Sequence, residues 1–167
     1  MYQKNDIVIY HHTGACRITD ISTLPQTNNQ NKKYYTLEPL FSTAQTIHVF
    51  IHSQAFMRPL ISIAEAKSCL QHIAELPATT CIAKDARQNA AQYTKILETH
   101  DFVQCLQLVK TLYLKTEQLR KDGKPIPQTE QKFLKQAEQF VYGELAVVLG
   151  QTPDDIRNMI YTALCAC

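Results

Sequence analysis

The residue types that could carry chemistry in this chain are its histidines and cysteines. His11 and His12 follow the first apolar run, and His48 and His52 lie four residues apart in a later one. Four residues of an extended strand span about 13 Å, so one metal ion cannot bridge the second pair. No cysteine or acidic residue has a spacing that would complete a site with the first pair, which we interpret as turn or surface residues.

The cysteines show neither the paired spacing of a zinc site nor that of a disulfide framework. Two of them lie among apolar residues at helical spacing, as reduced core thiols do. The Cys165-Ala-Cys167 tail would need further donors to bind a metal, and the spacing of the others does not provide them. We therefore predict no metal and no cofactor, and a thiol- or metal-dependent enzyme remains only a third hypothesis. The six are Cys16, Cys69, Cys81, Cys105, Cys165 and Cys167.

The chain also lacks the short motifs of common enzymes. It contains no glycine-rich phosphate loop, no HExxH and no GxSxG, and four glycines leave little room for a nucleotide-binding turn. These absences favour a binding protein over an enzyme. One carboxylate, Glu144, falls on an apolar helical stripe four residues after Phe140, so we expect it to accept a hydrogen bond from a tyrosine, a lysine or a backbone amide.

Charge and hydropathy exclude other classes. A formal charge of +2 does not by itself indicate a nucleic-acid binder. Between Lys110 and Lys135, seven basic residues accompany three acidic ones, which indicates either a basic patch or a solvated helix face. The start of the chain is polar and no apolar run approaches the roughly 18 residues of a membrane span, so we expect a cytoplasmic monomer without membrane contact.

The first sixty residues have the pattern of short strands. Their β-branched and aromatic side chains concentrate at residues 7–10, 16–21, 33–40 and 46–51, with polar turn segments between these runs. Four or five short antiparallel strands close most easily into a small SH3/Tudor-like β-barrel, because a flat sheet would leave apolar faces and edges bare.

From Ser62 onward the apolar period is that of helices. Ser62 and Glu65 are spaced as a capping box, and the next caps are predicted at Asp101, Gly123, Gly150 and Thr152. The expected stripes are Ile63, Ala66, Leu70, Ile73 and Ala74, then Ala86, Ala90, Tyr93 and Leu97, then Phe102, Cys105, Leu106, Val109, Leu112, Tyr113 and Leu119, then Phe133, Leu134, Ala137, Val141, Leu145 and Val148. We therefore predict the α+β class, with a β-barrel at residues 1–60 and an all-α domain of about five helices at residues 61–167.

The order of these segments resembles the RNA polymerase-interaction domain of CarD, CdnL and the transcription-repair coupling factor, TRCF. DIVIYHHTGA at residues 6–15 is similar to the opening strand and turn of that domain, and residues 34–37, 47–50 and 58–59 stand where its later strands lie. In the second half, residues 97–101, 108–113, 130–134 and 143–146 resemble the helical domain of CarD in the same order. The resemblance covers nearly the whole chain.

What the resemblance implies is a transcription regulator that docks on the β subunit of RNA polymerase through residues 1–60. Strand addition at an exposed barrel edge would provide this contact. Two positions of the family's polymerase contact hold Leu24 and His48 here, and the neighbouring Ile47 and Val49 complete the expected polymerase-binding set.

For promoter DNA, the resemblance implies a contact by the helical domain through Lys84, Ala86, Arg87, Lys115 and Lys132. CarD proteins that stabilise open promoters use a tryptophan as a minor-groove wedge, whereas this chain has no tryptophan and carries Ala86 at the aligned position. A methyl group cannot unstack a base step. We therefore expect weak phosphate contacts that depend on polymerase holding the protein nearby. The alternative is a polymerase- or protein-binding adaptor without productive DNA contact.

Overall fold

The structure, a computed structural model, describes residues 1–23, 32–41, 45–78 and 86–165. It divides the chain into two units, Met1–Leu60 and Ile61–Cys167. The first contains strands and the second contains helices, so the predicted α+β class is confirmed. Within the described ranges, no helix has both the length and the apolar character needed to cross a membrane.

The N-terminal unit contains one antiparallel sheet of five strands in the order β4-β3-β2-β1-β5. Each strand pairs with the next along the chain, except that β5 returns to pair with β1. The four predicted runs are all strands, and a short fifth strand follows them. The strands are β1 (Ile7–Tyr10), β2 (Gly14–Thr23), β3 (Lys33–Pro39), β4 (Ile47–Phe50) and β5 (Met57–Pro59). Most of the polar segments predicted as turns at residues 26–31 and 42–45 lie outside the described residues.

The turn between β1 and β2 is a single 3-10 turn, His11–Thr13, followed by Gly14. Gly14 has a φ of +81°, which only glycine adopts without strain, and this explains its position at the reversal. The side chains of the sheet alternate as a pleated strand requires. Its buried face is formed by Val8, Cys16, Ile18, Tyr35, Leu37 and Val49.

The second unit contains five helices in its described residues, the number predicted. α4 packs against each of the other four helices and is buried continuously from Phe140 to Ala146, so it is the central helix of the unit. The helices are α1 (Ile63–Gln71), α2 (Ala86–Thr99), α3 (Phe102–Lys121), α4 (Gln128–Leu149) and α5 (Pro153–Cys165).

The predicted helix caps are confirmed. The Ser62 hydroxyl accepts a hydrogen bond from the Glu65 amide at 3.1 Å, and the Glu65 carboxylate accepts one from the Ser62 amide at 2.8 Å. Asp101 caps α3 by accepting a hydrogen bond from a backbone amide at 2.8 Å. Gly123 and Gly150 both take the left-handed conformation at φ +65°, which lets the chain leave α3 and α4.

The predicted apolar stripes of the first two helices are partly wrong. In α1, Ala66 is fully buried, but Ile63 is 56% exposed and Ala74 lies beyond the end of the helix. In α2, Tyr93 is fully buried, whereas Ala86 is exposed at the first helical residue. Periodicity identifies the face of a helix that is buried but does not show how far along the helix a neighbour covers that face.

We predict that Leu112→Ala destabilises the helical unit. Leu112 is fully buried in α3, so its truncation removes apolar burial and leaves a cavity that costs about 2–5 kcal/mol. Leu114→Ala is the matched control, because Leu114 lies on the same helix and is 42% exposed; its change should stay within about 0.5 kcal/mol. Denaturant unfolding of the full chain measures both values. A loss below about 1 kcal/mol for Leu112→Ala would contradict the packing of α3.

Candidate functional site

The sheet has two edge strands, and β5, at one edge, offers few outward backbone groups to a further strand. Met57 and Pro59 point their main-chain groups outward, because Arg58 forms the hydrogen-bonded pair with Ile9 of β1. The Met57 carbonyl accepts a hydrogen bond from the Tyr2 hydroxyl at 3.5 Å, and the Pro59 carbonyl accepts one from the Arg58 guanidinium at 3.0 Å. Proline has no N–H to offer, so a further strand cannot pair well here.

The outer groups of β4, at the other edge, are open. The Ile51 amide donates to the Lys33 carbonyl at 3.1 Å. Since antiparallel pairs alternate, Val49 also faces β3, and the main-chain groups of His48 and Phe50 point away from the sheet. The Phe50 carbonyl accepts from the Ser53 amide at 2.9 Å. Within the described part of the chain, this leaves the His48 N–H, the His48 carbonyl and the Phe50 N–H without a hydrogen-bond partner.

The sequence-predicted polymerase-binding residues occupy different positions at this edge. The His48 side chain is exposed, with its Nδ1 atom 3.2 Å from the Thr36 hydroxyl. Ile47 is partly buried, and Val49 is only 4% exposed within the core, so Val49 supports the edge from inside. Leu24 lies outside the described residues.

His11 has a structural role that agrees with its interpretation as a turn residue. Its Nε2 atom accepts a hydrogen bond from the Phe56 amide at 3.1 Å, which fastens the first turn to the segment before β5. His52 lies beyond the end of β4, and its ring meets the edge of the Phe50 ring at 5.6 Å. No cluster of three or more histidine, cysteine or acidic residues is placed to hold a metal ion in the parts of the chain that the structure describes.

Comparison with known families identifies the unit that carries these edges. Residues 2–61 match the family model of the CarD-like/TRCF RID domain, so the match includes all five strands. The N-terminal unit is a CarD-like/TRCF RID domain. This family is an RNA polymerase-interacting domain with a Tudor-like fold, and it is a module for protein interaction. No curated protein matches the chain.

The predicted DNA-facing residues lie outside the RID domain, on the helices. Ala86 and Arg87 are exposed at the start of α2, and Lys132 is exposed in the second turn of α4. Lys84 lies outside the described residues.

Lys115 has a partner inside the helical unit. Its ammonium group lies 2.7 Å from the Glu130 carboxylate, and the two side chains are 20% and 4% exposed. Desolvation is the largest single influence on Lys115 and opposes its charge, but the hydrogen bonds and charge interactions with Glu130 and Tyr93 together raise the pKa of the lysine. The pair joins α3 to the first turn of α4, so Lys115 orients these helices.

The basic run from Lys110 to Lys135 is mostly used within the unit. Lys110 is buried and donates to the carbonyls of Ala74 and Leu76 at 2.6 and 2.8 Å. Two further cations pair with near neighbours on the surface, Arg120 with Glu117 and Lys124 with Asp122. The exposed lysines of this run without such a partner in the described residues are Lys121, Lys132 and Lys135. The run is therefore closer to a solvated helix face than to a continuous basic patch.

Glu144 confirms the expectation from its place on an apolar stripe. It is fully buried in α4, and its Oε1 atom accepts a hydrogen bond from the Ile61 amide at 2.9 Å. A second carboxylate that sequence reasoning missed, Glu138, accepts hydrogen bonds from the hydroxyls of Tyr142 and Tyr161 at 3.2 and 2.6 Å. Burial raises the pKa of both tyrosines, so they remain neutral donors. Tyr161 lies in α5, and its bond joins that helix to α4.

Sequence reasoning also missed the Phe50 amide at the β4 edge and the Tyr2 hydroxyl at the β5 edge. Pro59 is the available signal, because a proline in a short strand marks an edge. The partner of Tyr2 cannot be read in this way, since its hydroxyl bonds to a carbonyl 55 residues along the chain.

We predict that Lys115→Met destabilises the helical unit by about 2–4 kcal/mol, because it leaves the nearly buried Glu130 without its counter-charge. Lys124→Met is the matched control, since the Lys124–Asp122 pair has side chains 65% and 38% exposed and should contribute less than about 1 kcal/mol. Urea unfolding of each full-length variant provides the comparison. Equal losses in the two variants would show that the Lys115 pair does not hold α3 against α4.

Proposed function

We propose that this protein regulates transcription by binding the β subunit of RNA polymerase through strand addition at β4. The RID match supports polymerase as the partner. The observation that carries the mode of binding is the contrast between the two edges: the two outward carbonyls of β5 are paired and Pro59 has no amide, whereas β4 presents two amides and one carbonyl outward. Unpaired main-chain groups at a sheet edge are what a partner strand pairs with.

Main-chain pairing of this kind depends little on the charge of the edge residues. Neither Leu24 nor His48, at the positions of the family's polymerase contact, is a lysine or an arginine. Each added backbone hydrogen bond contributes roughly 0.5–1.5 kcal/mol net, so three open groups supply part of the affinity and the partner's side chains supply the rest.

The second part of the proposal is that the helical unit lies near promoter DNA while polymerase holds the protein there. Arg87 and Lys132 are exposed and supply phosphate contacts together with Lys84, whereas Lys115 acts by orienting α3 and α4. Few contacts give weak binding by free protein, and docking on polymerase compensates through high effective concentration. In this role the protein is a monomer that works in the cytoplasm, where polymerase works.

An adaptor without productive DNA contact is the second candidate. It is favoured by the exposed methyl group of Ala86 at the position of the family's wedge, and by the pairing of Arg120 and Lys124 with neighbouring acids. The two candidates share the polymerase contact and differ only in what the helical unit reaches.

We predict that His48→Pro abolishes capture of the full-length protein by bacterial RNA polymerase, while His48→Ala retains it. The proline removes an outward N–H without removing a hydrogen bond to β3, so the sheet keeps its internal pairing. The alanine removes the imidazole but keeps the N–H. Pull-down by core polymerase, with thermal unfolding as the check on folding, distinguishes the variants. Retention of His48→Pro would count against strand addition at β4, and loss of His48→Ala alone would assign the contact to the side chain.

We predict that Ala86→Trp lengthens the lifetime of the open promoter complex, because a ring at the start of α2 supplies the wedge that alanine lacks. Glu98→Trp, exposed near the other end of α2, adds the same ring without this effect. Decay of competitor-challenged complexes measures the lifetimes. If Ala86→Trp is folded and polymerase-bound but leaves the lifetime unchanged, the adaptor becomes the better description.

A further inference from the structure

A cavity of about 510 Å³ lies in the helical unit, between α3, α4 and α5. Its volume falls within the range of roughly 300–1,000 Å³ that is typical of small-molecule sites. Each of the three helices contributes one cation to the lining, Arg120 from α3, Lys135 from α4 and Arg157 from α5. Ile126 and Leu134 supply an apolar wall beside these charges. Positive charge from three helices therefore converges on one concave surface.

The two carboxylates of the lining are already engaged. Glu138 accepts hydrogen bonds from two tyrosine hydroxyls at 3.2 and 2.6 Å. Glu117 pairs with Arg120. Lys135 is exposed and has no ion-pair partner among the residues that the structure describes, so its charge is available to a ligand.

The two arginines rest in ion pairs that are easily exchanged. Arg120 pairs with Glu117 and Arg157 pairs with Asp154, each three residues earlier on the same helix, and the arginine side chains are 68% and 48% exposed. Exposed pairs of this kind add little to stability, because solvent screens them. A diphosphate carries more negative charge than a single carboxylate and matches the fork of a guanidinium, so it can draw both arginines away from their neighbours.

We propose that this cavity binds the diphosphate group of a small molecule, carried by a nucleotide or present as free pyrophosphate. Lys135 and the two arginines hold the phosphate oxygens, and the base of a nucleotide lies against Ile126 and Leu134. The cavity is concave and bounded by Glu117 and Glu138, so a small anion enters it more easily than the backbone of duplex DNA. Binding here requires no contact with polymerase and stands apart from the proposed function.

The test measures binding of ADP, GDP and inorganic pyrophosphate to the full-length protein by calorimetry, together with the midpoint of thermal unfolding. Only the folded state brings the three helices together, so a saturating ligand should raise Tm by a few degrees. Lys135→Gln and Arg157→Gln should each weaken binding about tenfold, because each removes charge-assisted hydrogen bonds to phosphate. The matched control is Lys95→Gln, which removes an exposed charge from α2, outside the cavity, and should bind like the unsubstituted protein.

A measurement on the unsubstituted protein makes the test independent of how the variants fold. The side-chain Nε–H groups of the arginines give separate nuclear magnetic resonance signals. Pyrophosphate should shift the signals of Arg120 and Arg157. It should leave those of Arg17 and Arg58, which belong to the N-terminal unit, in place.

The three ligands distinguish the two sources of the diphosphate. Equal affinity for pyrophosphate and the nucleotides would assign the cavity to the diphosphate alone, and tighter binding of ADP or GDP would assign it to a nucleotide. The proposal is wrong if none of the three binds at about 1 mM. It is also wrong if Lys95→Gln weakens binding as much as Lys135→Gln, or if a short DNA duplex displaces the ligand, since the three cations would then act through net charge or on nucleic acid.

Discussion

Backbone amides and carbonyls must find hydrogen-bond partners, and an open five-stranded sheet cannot supply partners along its two outer strands. In this RID domain the two edges meet that requirement differently. Tyr2 and Arg58 occupy the outward carbonyls of β5 and Pro59 has no amide, so that edge is a poor template for a further strand. β4 keeps outward groups without partners among the described residues, and this is why we propose it as the place for another protein's strand.

The helical unit meets the same kind of requirement with buried charge. Glu144 accepts a hydrogen bond from the Ile61 amide, Lys110 donates to two carbonyls that follow α1, and Lys115 forms an ion pair with Glu130. Each contact joins two segments that are separated in sequence. Each also sets the distance between them more closely than apolar packing alone would. Lysines of the basic run from Lys110 to Lys135 are thus partly used to hold helices together, which leaves fewer of them for contact with phosphate.

The elements were predictable because their signals are local. β-branched and aromatic composition identifies strands such as Ile7–Tyr10, and caps such as Ser62 with Glu65 or Gly150 depend on neighbouring residues only. The exposure of Ile63 and Ala86 was not predictable, because it depends on how far a neighbouring helix extends over them. The open edge at β4 follows from the pairing of β5 with β1, for example Val8 with Pro59, and this pairing cannot be read from local sequence. The role of Lys115 depends on Glu130, which lies on the next helix. The family resemblance indicated polymerase, whereas the choice of edge came from the pairing of the strands.

The position of β5 also orders the events of synthesis. β1 pairs with β2 within about the first twenty residues, but its other side remains bare until Pro59 has been made. At roughly 5–20 residues per second, translation of the intervening segment lasts a few seconds. During this time β1 has no neighbouring strand on one side, although its residues Val8 and Ile9 are fully buried in the finished sheet. The strand that covers the outer side of β1 is thus the last of the five to be made.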